Sequence, residues 1–143
     1  MSEVNSKQLK SDLAKAAALL QQSEILEQTA RNSFTDLLAR LKKNSELLSK
    51  IVEPKMFESF VFKGIFIKLP PESGYDHHLR LTEDAELFIT NKRVQPIELI
   101  EKVGAVKCIE ALISAIRKRI DAITTQHESA RSAIAMANAM LPD

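Results

Sequence analysis

The sequence predicts a mainly α fold with a small β segment: two long antiparallel coiled-coil helices joined by a β-hairpin-type insertion. Three observations carry this. Heptad stripes of matched length lie at 9–51 and 99–141. The stretch between them is rich in β-branched and aromatic residues. Prolines stand where one helix should stop and the other should start.

The first helix is expected over 6–52. Steps of three and four from Leu9 to Ile51 give apolar residues at ten of thirteen positions. That is about six heptads, beyond the three or four that make a coiled-coil reading reasonable. Pro54 ends the run. The second helix is expected over 96–141, with Pro96 in its first turn and Glu98 near its positive end. Eleven of thirteen stripe positions from Leu99 to Leu141 are apolar. Gly104 would cost about 1 kcal/mol inside a helix, and a continuous helix through it is the expectation. The β-rich segment spans 57–91. Gly64 marks a bend or bulge in the run from Phe57 to Leu69. Alternating Leu79 and Leu81, then Leu87 and Ile89, read as short strands around a turn at Glu83-Asp84. The 143 residues suit one domain, 1–143.

Equal lengths favour pairing of the two stripes within the chain, residue i facing residue 150−i. Ser23 then falls opposite His127, with Glu27 one turn along, a polar layer that would set the register. Leu19, Leu26, Leu47 and Leu112 lie beside the stripes, so the apolar faces are wider than a two-helix seam needs. Oligomerisation is the plainest use of that surplus. The interface residues would be Phe60, Phe62, Phe66, Leu19, Leu26 and Leu112.

Composition excludes several classes. The net charge of +1 gives no strong field for nucleic acid. A sheet that stacks RNA bases on its Phe residues is a poorer reading than a Phe-filled core. The single cysteine, Cys108, rules out an internal disulfide and a Cys-rich zinc site, and fits a cytoplasmic, reducing compartment. No apolar run nears the roughly 18 residues of a membrane span. Asp76-His77-His78 has metal-ligand character, but adjacent histidines in a strand point to opposite faces. No catalytic residue, metal site or cofactor is expected, so an enzyme dependent on metal or histidine is the remote alternative.

Phe60-Val61-Phe62-Lys63-Gly64-Ile65-Phe66-Ile67 looks like a first hairpin region and Leu79 to Ile89 like a second. A helix opening Pro96-Ile97-Glu98-Leu99 follows. Helix, two β-hairpins and helix in this order resembles the prefoldin family, particularly its alpha-type subunits. Thr82 and Ala85 stand where that family usually has glycines. The resemblance implies an ATP-independent hexameric holdase whose helix tips grip unfolded clients. Here the tips would be Leu9, Leu13, Leu20, Ile134, Met136, Met140 and Leu141. The expected function is thus a non-catalytic coiled-coil interaction protein, chaperone-like on the family reading, with protein partners in a homo- or hetero-oligomer. The alternative is a coiled-coil scaffold or secretion-type adaptor with one specific partner.

Overall fold

The computed structural model describes residues 3–74 and 79–141. It contains four helices and a five-stranded sheet: α1 (Glu3–Lys43), α2 (Ser45–Ile51), β1 (Glu53–Phe57), β2 (Phe60–Phe66), β3 (Leu79–Leu81), β4 (Leu87–Ile89), β5 (Lys92–Val94), α3 (Pro96–Val103) and α4 (Ala105–Met140). The expected layout of two long helices joined by a hairpin insertion is therefore corrected. Both helical runs are broken, and the insertion is an antiparallel meander in the order β1-β2-β3-β4-β5.

The first break is mild. Asn44 leaves the helical region (φ −108°, ψ 27°), and its Nδ2 donates to the Arg40 carbonyl at 2.9 Å. Asparagine competes with the helical ladder in this way. The Leu48 amide still bonds the Asn44 carbonyl, so α2 continues closely from α1. Val52 is extended and ends the run before Pro54, as expected.

The second break is decisive. Gly104 has φ 95° and ψ 142°, a conformation that side chains beyond glycine rarely adopt. It closes α3 and opens α4. Leu38 and Lys42 of α1 share a groove with Val94 and Pro96, at the start of α3. Glu27, three to four turns earlier on α1, bonds Ala105 just past the end of α3. Helix α3 therefore runs back along α1. Helix α4 then turns forward again, and Arg119 reaches the Ile51 carbonyl at the end of α2. Over this shared stretch α1–α2 and α4 run in the same direction. The pairing of residue i with 150−i inside one chain is overturned, because the return leg is the short α3.

One hydrophobic core sits between these helices and one sheet face. Its members include Ala30, Phe34 and Leu38 of α1, Leu48 of α2, Leu99 and Ile100 of α3, and Ala105, Cys108, Leu112 and Ala115 of α4. The sheet contributes Ile65, Leu79, Leu81, Leu87 and Val94. On α4 the inward row is 105, 108, 112 and 115. The heptad row one residue along keeps Val106, Ile113 and Ile120 exposed.

The sheet overruns the expected segment 57–91 at both ends, with most of β1 before it and β5 after it. Thr90-Asn91 makes a two-residue turn with Thr90 at φ 52°, unusual outside glycine. Ala85, also at positive φ, closes the β3–β4 turn through its amide to the Thr82 carbonyl at 2.9 Å. At Gly64 an added Cβ would lie 2.7 Å from the Leu81 carbonyl oxygen. Glycine there lets β2 and β3 approach.

Candidate interaction surfaces

Three surfaces have chemistry beyond packing. The first is the pair of helical overhangs. Residues 5–26 of α1 precede the shared stretch and are all exposed. Residues 120–141 follow it and are exposed save for half-buried Ile123. Leu13 is 62% exposed, Leu20 67%, Ile134 61% and Met140 82%. Each overhang is about 33 Å long at 1.5 Å per residue, and they leave the shared stretch in opposite directions. Leu9, Leu13 and Leu20 are thus far from Ile134, Met136, Met140 and Leu141, all of them exposed. One chain does not bring these helix ends together into a single grip.

The shared stretch is fastened at both ends. Gly104 has no side chain to cap α4. The Glu27 carboxylate does so from another helix, accepting the Ala105 amide at 2.7 Å. A carboxylate suits the positive helix start. At the far end Arg119 donates from Nε to the Ile51 carbonyl, an otherwise orphan C-terminal oxygen of α2. Its Nη1 lies 3.5 Å from Glu53. The expected polar layer of Ser23, Glu27 and His127 is therefore not formed within the chain. Glu27 serves the start of α4, and His127 lies about 33 Å further along that helix. Ser23 and His127 are both exposed.

Cys108 sits one turn inside the capped start. Its thiol is raised from 9.0 to about 11, first by burial and then by the Glu27 carboxylate. A buried thiol held protonated is a poor nucleophile.

The second surface is the outer sheet face. Cross-strand neighbours share a face, so Lys55 and Phe57 lie with Phe60, Phe62 and Phe66, then Arg80, Phe88 and Arg93. Five of the six phenylalanines stand here, opposite the core. The expected Phe-filled core is corrected: aliphatic residues fill it, and Phe34 is the only core phenylalanine. Intramolecular cations lie over several of these outward rings. The Arg80 guanidinium carbon lies 5.1 Å from the Phe62 ring centre and 5.2 Å from that of Phe88. Its Nη atoms donate to the Lys63 and Thr90 carbonyls at 2.8 and 3.1 Å. Lys55 Nζ lies 5.0 Å from the Phe66 centre. Such contacts contribute about 0.5–2 kcal/mol each, and they occupy ring faces on which a nucleobase would stack. Phe60, at the hairpin tip, stays exposed.

Among the residues expected at an interface, Phe60, Leu19 and Leu26 are exposed and Phe62 and Phe66 half-buried. Leu112 is not available: it is 1% exposed, inside the core. Sequence periodicity put it beside the heptad stripe, and that side of α4 is the one turned to the core.

The third surface is a groove of about 430 Å³ between β5 and α3, lined by Ile89, Thr90, Lys92, Val94, Glu98, Glu101 and Lys102. It pairs no nucleophile with a base. Among the described residues no group of three His, Cys, Asp or Glu is placed to hold a metal ion. Asp76, His77 and His78 lie outside the described residues. Among the described residues, no helix is long and apolar enough to cross a membrane. In comparisons with protein-family models, curated proteins and solved structures, nothing matches this chain.

Proposed function

We propose that this is a non-catalytic protein-interaction module that works through its helical overhangs. The single observation that carries the reading is the uncovered apolar stripe on residues 5–26 and 120–141. Two helices of this length have no reason to remain ordered alone: isolated helices are marginal in water unless an apolar face is buried. The uncovered row on α4 also continues inward through Ile120, Ile113 and Val106. A docking surface of this kind suits a scaffold or adaptor.

Amine cross-linking in extracts of the native host tests the reading. Lys7, Lys10 and Lys15 lie on the α1 overhang, and intermolecular links are expected to concentrate there. Leu13→Glu with Leu20→Glu should remove them while the core stays folded. Links that cluster instead on Lys92 and Lys102, beside the groove, would overturn the reading.

A prefoldin-type holdase is the narrower version. The adaptable side chains of Met136 and Met140 support it. It requires helix tips side by side, and these belong to different ends of one chain. Suppression of aggregation of a denatured client, lost on truncating residues 1–12 and 134–143, would favour it over a single-partner adaptor.

A further inference from the structure

We infer that the partner of both overhangs is a second copy of this chain, joined through a two-fold axis perpendicular to the helices. This rests on the interaction-module reading and names its occupant.

Helices α1 and α4 run in the same direction, and their free ends point opposite ways. A copy turned by a two-fold axis runs in the reverse direction. Its α1 overhang then lies antiparallel to the α4 overhang of the first copy, and the reverse contact forms at the other end. Both contacts are identical, so the assembly closes at two copies.

With residue i of one copy facing residue 150−i of the other, Leu13 meets Ala137, Ala16 meets Ile134 and Leu20 meets Ala130. Each large side chain lies opposite a small one, which is how facing helices interdigitate. Leu9 meets Leu141, and Ser23 meets His127, so the exposed imidazole gains a hydroxyl partner. The register that fails inside one chain is thus satisfied between two.

Charge and size agree. The α1 overhang carries three lysines against two acids, and the α4 overhang two acids against one arginine. About half of the overhang residues face the other copy, roughly 20 a side, as a standard interface requires.

The test uses the full chain. Light scattering should give twice the 16.0 kDa chain mass. In a Cys108→Ser background, Leu13→Cys with Ala137→Cys should give a covalent dimer on copper-catalysed air oxidation. Leu13→Cys with Ala135→Cys, which turns one thiol off the seam, should not. Leu13→Glu with Ile134→Glu should give monomers with part of the helical circular dichroism lost and the core's unfolding transition kept. Global unfolding of this variant is controlled by Leu13→Ala with Leu20→Ala, which should weaken dimerisation at least tenfold without added charge. A monomer at all concentrations overturns the inference, as does a larger assembly, or a dimer that cross-links equally at 135 and 137. A monomer whose lysine overhang still cross-links to another protein would defeat self-pairing and leave the interaction-module reading standing.

Discussion

Single residues hold the close approaches in this fold. Gly64→Ala would drive a Cβ to 2.7 Å from the Leu81 carbonyl oxygen, against backbone that has little room to yield. A loss of about 1–3 kcal/mol is expected from overpacking, read as a lower denaturant midpoint with an unchanged slope. Cys108 has a pH signature. Its folded pKa, about 11, lies above its ordinary 9.0. The folded state therefore holds its proton more tightly. Its contribution is complete below pH 9 and is lost as pH rises towards 11. The thiol should react slowly with a disulfide reagent at pH 8 in folded protein and quickly in denaturant. Glu27→Gln should lower its pKa, so reactivity sets in at a lower pH than in the parent. The bend or bulge expected at Gly64 does not form: β2 runs unbroken from Phe60 to Phe66 with Gly64 paired to Glu53, and the glycine instead serves a close approach to β3 that its own neighbours do not reveal. The caps made by Glu27 and Arg119 were not legible in the sequence either, because each joins residues more than 60 positions apart.

At the scale of elements, the junction at Gly104 sets the directions. Gly104→Ala has space for its methyl group, with only the Glu27 carboxylate near, at 3.9 Å. The cost is therefore conformational, about 1–3 kcal/mol for a non-glycine residue at this φ and ψ. Glu27→Ala removes the cap of α4 and strands a buried amide, at about 1–2 kcal/mol. Because the two changes act on one junction, the double variant should lose less than the sum of the single losses, a coupling that a double-mutant cycle in thermal unfolding would measure. Additive losses would mean that cap and turn are independent. The Pro96 start and the Pro54 stop were readable from sequence, since proline acts on its own neighbours. The strand at Lys92–Val94 was not. It has three residues and no alternation of its own, and it exists because β4 offers it an edge.

Across the whole molecule, order should be graded. The core joins the shared helices to the sheet, whereas the overhangs depend on a partner. In hydrogen exchange at high protein concentration, residues 5–26 and 120–141 should be protected. On dilution they should exchange first, while amides of Leu79 and Leu81 stay protected, as local opening spares the most buried segments. Concentration-independent protection of the overhangs would mean that they are ordered without a second copy. Such a dimer would place Leu9 of one copy beside Leu141 of the other at each end, so the paired tips missing from one chain would arise by assembly.

Local rules account for the amount of helix, the heptad stripes, the ends at Pro54 and Pro96, and the strands around Phe60–Phe66 and Leu79–Ile89. These follow from the 3.6 and 2.0 residue periods and from the local effect of proline, which need no knowledge of distant chain. How the helices pair depends on long-range packing. A heptad stripe specifies an apolar face but not the direction of the helix that covers it. The glycine that reverses the chain at 104 would have cost only about 1 kcal/mol inside a continuous helix. Which side of the sheet the phenylalanines take was decided in the same way: the pleat sets alternation, but only the packed helices chose the aliphatic face for the core.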